Sequence, residues 1–170
     1  MSAHDREHVE RVVRLARYIA EREGADLEVV TVAAELHDIA RDHPDHAREG
    51  AHRARKILEG RGYPPDFIER VCHCIEAHSF SGGVKPQTLE ARILSDADKI
   101  DAMGAVGIAR AFLHSGESGR TLEETLRHFE EKLLKLFDSL HTPTARALGE
   151  PRHRTLLEFY RRLLEELSGP

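Results

Sequence analysis

The 170-residue sequence predicts an all-α bundle, and three observations lead there. Apolar residues recur at three- and four-residue steps along nearly the whole chain. The periodic stretches are opened by capping residues or proline and closed by glycine. No repeat, low-complexity tract or linker interrupts them, so one domain is expected over 1–170, with 115–170 as a helical C-terminal extension packed on the core.

Taken in order, a first helix is predicted from His4 to Glu23, with Val9, Val12, Val13, Ala16, Ile19 and Ala20 as its stripe and Gly24 as its stop. His8 stands one turn before Val12 and borders that stripe. Asp26 caps a second helix, whose inward residues Val29, Ala33 and Leu36 lead into His37. Arg41 to His46 reads as a loop with a fresh helix start, and Ala47, Ala51, Ala54, Ile57 and Leu58 make the third helix, closed by Gly60 and Gly62. Pro64-Pro65-Asp66 opens the fourth, with Ile68, Val71, Cys72 and Ile75 inward and His78 three residues beyond. Ser79 to Gly83 is a flexible loop with many backbone donors. A fifth helix is expected from Thr88 to His114, its stripe running through Leu94, Ala105, Ile108 and Phe112, with Asp98 and Asp101 between them on the same face. Gly104 and Gly107 let another helix approach closely. Thr121 with Glu124 is a capping-box signal for a sixth helix, striped by Leu122, Leu126, Phe129, Leu133, Leu136 and Leu140. Thr142-Pro143 starts a last helical region reaching Leu167, bent or broken near Gly149 and Pro151.

Chemistry enters with the pair His37-Asp38 at the end of an apolar run. Neighbours on a helix differ by about 100° around its axis, so a long His and a short Asp can converge on a point beside it. A divalent cation at that point offsets the cost of burying both groups. One His–Asp hydrogen bond at a helix end is the alternative, but His8, His78 and Asp98 fall at the same kind of position on other helices. Asp98 and Asp101 cannot face an apolar core unpaired and need a metal, a base or a water-filled cleft.

Composition narrows the partners. A net charge of −5 argues against extended nucleic acid and leaves small anions open. No leader is visible and no apolar run approaches ~18 residues, which predicts a cytoplasmic protein without a membrane. Cys72 and Cys74 flank His73 without zinc-finger spacing and read as core or boundary thiols. His4, His43, His114 and His128 fall in loops or on polar faces, so the twelve histidines prove nothing by number.

A His near the N-terminus, a His-Asp pair on the second helix and Asp98 in the run Asp96-Ala97-Asp98-Lys99-Ile100-Asp101 resemble the HD-domain superfamily of metal-dependent phosphohydrolases. The segments His8–Val12, Leu36–Arg41, Ala77–Ser81 and Gly104–Arg110 look like the small stand-alone bacterial members, some of which cleave nucleoside triphosphates to monophosphates. The resemblance covers the whole chain and implies a single-domain helical bundle of the HD type with metal ligands His8, His37, Asp38 and Asp98. In two-metal members two further histidines intervene, and His46 and His78 occupy plausible places for them, with His43 and His52 as rivals of His46. One or two ions of Mn, Fe, Co, Ni or Mg suit such a donor set. Asp101 is then expected to orient a ligand or accept a proton, and Lys99, Arg11 and Arg41 to clamp charge growing on phosphate oxygens. The expected substrate is a nucleotide or similar phosphorylated metabolite. Di-iron oxygenase chemistry and a non-catalytic nucleotide-binding module are the rival readings, and a homo-oligomer stays open.

Overall fold

In the computed structural model, residues 6–80 and 82–169 are described, and the regular structure among them is helical throughout. His4, where the first helix was expected to begin, and Ser81 of the loop after His78 lie outside them. The helices are α1 (Arg6–Glu23), α2 (Leu27–Leu36), α3 (His46–Gly60), α4 (Pro65–Ala77), α5 (Leu89–Asp101), α6 (Gly104–Glu117), α7 (Leu122–Glu131) and α8 (Pro143–Ser168).

The punctuation of the sequence acts as chemistry requires. Gly24 and Gly62 take the left-handed conformation just past α1 and α3 (φ 74° and 76°), where a Cβ would be strained. The Asp26 carboxylate accepts from the N–H groups of Glu28 and Val29, two of the four orphan donors at the start of α2. At α7 the Thr121 hydroxyl and the Glu124 side chain satisfy each other's backbone N–H, a complete capping box.

Two apolar clusters fill the interior. The larger joins α1 to α5 through Val12, Ile19, Val30, Leu58, Ile75, Ile93 and Ile100, all fully buried, and takes Leu140 and Ala145 from the C-terminal part. The smaller is Met103, Phe129, Leu133, Leu136 and Leu156, with the rings of Phe112, Phe159 and Tyr160 packed against them. Cys72 and Cys74 are buried free thiols, and burial raises the pKa of both.

Three expectations are corrected. The long fifth helix is two, α5 and α6, because the chain turns at Ala102-Met103 and Gly104 adopts φ 69°. A Cβ at Gly107 would collide with the Ala102 carbonyl, so this glycine allows α6 to start against the end of α5. Ala105 consequently faces solvent instead of continuing the α5 stripe. The sixth helix ends at Glu131, and its last leucines fall in and around two short 3-10 turns, Leu133 in Leu133–Lys135, Leu136 between the turns and Leu140 just past Phe137–Ser139. Conversely, α8 runs unbroken through Gly149 and Pro151: Gly149 is buried where an added Cβ would lie 2.7 Å from Leu140 Cδ1, and packing on both clusters carries the helix past the proline.

Candidate metal centre

One end of the bundle collects the first turns of α1 and α3 and the last turns of α2, α4 and α5. Antiparallel neighbours therefore bring His8, His37, His46, His78 and Asp98 together although up to ninety residues separate them. Helix α2 stops at Leu36, so His37 is its C-cap and Asp38 begins a run of tight turns to Pro44, not a further helical turn. His78 plays the same part at the end of α4. His8, His37 and His78 are each at most 2% exposed.

Hydrogen bonds fix the tautomers. His37 Nδ1 lies 2.7 Å from the Ala34 carbonyl and His78 Nδ1 2.5 Å from the Ile75 carbonyl, and a carbonyl can only accept, so both Nδ1 atoms carry the proton. His8 Nδ1 donates to Asp101 Oδ2 at 2.8 Å. In a neutral imidazole held this way, Nε2 is the atom with the electron pair. His8 Nε2 and His37 Nε2 face each other at 3.4 Å, with Asp98 Oδ1 at 3.5 and 4.0 Å from them. These separations place an equidistant point about 2.1 Å from all three atoms, the length of an imidazole–metal bond. Two imidazole nitrogens and a carboxylate oxygen directed at one point fit a divalent cation.

The imidazoles continue as a row: ring centroids lie 5.3 Å apart for His8 and His37, 5.2 Å for His37 and His78, and 5.7 Å for His78 and His46. Burial lowers the His78 pKa to about 4 and lowers that of His37 too, against the pull of Asp98 and Asp38. Burial also lowers His46, aided by Arg41. At Asp98 burial acts upward but is outweighed by His78, His37, His8 and Lys132, which hold the carboxyl below its usual range. His43 and His52 are exposed, the first in the turns after α2 and the second on α3.

The remaining expected site residues divide. Asp98 stands in the three-atom cluster, whereas Asp38, adjacent to His37 with a buried side chain, has its carboxylate 3.7 Å from Arg41. Asp101, fully buried, receives His8 Nδ1–H, Arg11 at 2.6 and 3.2 Å, and Arg110 at 2.7 Å. It lies behind His8 on the side away from Nε2, and these donors overcome burial to hold its pKa down. Arg11 is thus engaged at the back of the site. Lys99 points elsewhere: its ammonium donates to the Ser139 carbonyl at 2.9 Å and lies 3.5 Å from His141, the position next to Asp98 on a helix being about 100° away.

Two cations were missed by sequence reasoning. Arg110 comes from α6, and Lys132 follows α7; burial lowers the pKa of each, against the attraction of Asp101 for Arg110 and of Asp98 for Lys132. Lys132 also feels Arg41 and Arg110. The available signal was a lysine beside the apolar stripe between Phe129 and Leu133. His114 and His128, read as polar-face residues, are half-buried in the field of Lys132.

The HD-domain family profile matches residues 6–103, the part that carries His8, His37, Asp38, His78 and Asp98. YpgQ of Bacillus subtilis is 41% identical over 177 residues, covering 99% of this chain and 86% of that protein. A crystal structure of YpgQ in complex with ADP superposes with a TM-score of 0.83 at 39% identity, over 99% of this chain and 92% of the other. An HD-superfamily hydrolase from Bacillus thuringiensis gives 0.77 at 32% identity, over 98% and 88%. A predicted HD superfamily hydrolase from an uncultured Thermotogales bacterium gives 0.70 at 35%, over 97% and 82%. No helix among the described residues is long and apolar enough to cross a membrane. The profile spans more than half of the chain, the relatives run nearly its full length, and two imidazoles and a carboxylate meet where the His-Asp pair ends α2: this chain belongs to the HD-domain family.

Proposed function

We propose that this protein is a metal-dependent phosphohydrolase acting on a nucleotide or similar small phosphorylated metabolite. The observation that carries the reading is the convergence of His8 Nε2, His37 Nε2 and Asp98 Oδ1 on one point, with Arg41, Arg110 and Lys132 contributing positive charge around it. In this reading Asp38 is the fourth ligand. A bound divalent ion would supply a Lewis acid for a phosphoryl oxygen and lower the pKa of water toward neutrality. The rest is done by the chain. Asp101 holds the His8 Nδ1 proton and so keeps Nε2 turned to the site. Arg41, Arg110 and Lys132 offset charge that builds on phosphate oxygens. His46 and His78 extend the donor row toward a second ion, or meet the substrate if only one binds. YpgQ, similar along its length, has been crystallised with ADP, which supports a nucleotide as the ligand class.

The test is a hydrolysis screen over nucleoside mono-, di- and triphosphates with Mn²⁺, Co²⁺, Ni²⁺ and Mg²⁺, resolving phosphate from pyrophosphate, with oxygen uptake followed in parallel. Phosphate or pyrophosphate release that disappears together with bound metal in His37→Ala and Asp38→Ala is expected. Nucleotide binding without turnover under any ion, or oxygen uptake in its place, would overturn the reading. Bound metal approaching two ions per chain and falling toward one in His46→Ala would establish the second site, and one ion unaffected by that change would assign His78 to the substrate.

A further inference from the structure

A cavity of about 290 Å³ opens behind the metal centre, where α5 breaks into α6 and α1 and α8 pass on either side. Its polar wall is three guanidiniums: Arg11 and Arg14 of α1 and Arg152 of α8. Its apolar wall includes Leu15, Val106 and Leu148. The break itself shapes it, because Gly104 lets the chain turn against Arg152, and a Cβ there would lie 3.1 Å from the Arg152 side chain. Arg152 is also anchored from below, donating to the Ile100 carbonyl at 2.9 Å. One carboxylate, Asp101, reaches this wall, where it pairs with Arg11 and is shared with Arg110 and His8.

The wall therefore carries more positive than negative charge beside an apolar surface, at the lower end of small-ligand pocket sizes. Guanidiniums present forked donors that match a phosphate, and the apolar side suits a compact organic body. We propose that this cavity is a second, regulatory site for a phosphate monoester of about nucleoside-monophosphate size, coupled to the metal centre through Arg11, Asp101 and His8.

The coupling has a direction. Arg11 contacts both Asp101 oxygens, at 2.6 and 3.2 Å, and Asp101 in turn holds His8 Nδ1–H. An anion drawing on Arg11 leaves Asp101 less neutralised, so its hold on the imidazole strengthens and Nε2 becomes a better donor to a cation. The anion's own charge acts the same way. Occupation of the cavity thus tightens metal binding. This half of the inference rests on His8 as a metal ligand; ligand binding in the cavity does not.

The probe is AMP, titrated calorimetrically into the metal-free full-length protein, into His37→Ala, and into two cavity variants outside the metal centre. Arg14→Glu reverses a charge at an exposed position, and Leu148→Trp fills the cavity. Binding retained in His37→Ala but weakened about 10-fold or more in both cavity variants is expected. Undiminished binding in Arg14→Glu, which should fold unaltered, would overturn the site. Mn²⁺ affinity is then measured with and without AMP: a gain of about 5-fold, absent in Arg14→Glu, is expected, and equal affinities would overturn the coupling. If no nucleotide is hydrolysed yet AMP binding depends on Arg14, the phosphohydrolase reading fails while the cavity site stands. The converse result separates them in the other direction.

Discussion

Asp98 and Asp101 lie one turn apart on α5, yet they meet opposite surroundings. Asp98 turns an oxygen to the Nε2 atoms of two imidazoles, whereas Asp101 is enclosed by donors: His8 Nδ1–H and the guanidiniums of Arg11 and Arg110. Converting each to Asn should therefore have different consequences. Asp98→Asn removes an anion from the point where the donors converge and should abolish most metal binding. Asp101→Asn leaves those donors in place but weakens the restraint on His8, and turnover should fall roughly 10- to 100-fold with the metal retained. Bound metal and kcat measured on both variants check this. Loss of metal from Asp101→Asn with retention in Asp98→Asn would reverse the assignment.

At the scale of the element, the break between α5 and α6 governs where Arg110 and the cavity lie, and its glycines are not alike. Gly107 has no room for a methyl group, because the Ala102 carbonyl occupies the place of a Cβ. Gly104 has some space but a left-handed backbone, and Gly116, near the end of the same helix, meets nothing within 4 Å at ordinary φ. Alanine at 107 should accordingly cost about 3 kcal/mol and at 104 about 1–2 kcal/mol. Alanine at 116 should be neutral or stabilise by up to about 1 kcal/mol. Urea denaturation midpoints of the three variants give the order directly, and a continuous α5–α6 helix would instead make all three substitutions favourable.

The whole molecule buries imidazoles at one end, and that sets its response to acid. His78, with its pKa lowered to about 4, and His37, lowered as well, stay neutral in the folded metal-free protein while the unfolded chain binds protons near the ordinary value of about 6.5. Between these values the unfolded state carries more protons, so this contribution to stability is complete above about pH 6.5 and is lost as pH falls toward 4. Added Mn²⁺ should raise Tm at pH 7.5, and that increment should shrink over the same window because protons compete for Nε2. Melting curves with Mn²⁺ or EDTA from pH 7.5 to 4.5 test both, and a flat Tm across the range would contradict the buried neutral imidazoles. Much of this protein was legible in the sequence, because caps, glycine stops and apolar periodicity are local: the helical class, the stop of α1 at Gly24, the Asp26 cap of α2, the closure of α3, the proline start of α4 and the capping box of α7 follow from neighbouring residues alone. His8, His37 and Asp98 could be picked out as polar groups on otherwise apolar faces, since their misfit is visible in one dimension. What needed the third dimension was everything set by contacts across the bundle. The α5–α6 turn depends on the Gly107 approach to Ala102, α8 passes its proline because both clusters hold it, and Lys99 faces Ser139 while Arg110 and Lys132 come to the site from segments distant in sequence. Local periodicity tells which face of a helix is inward, but only the packing of helix against helix decides what an inward side chain meets.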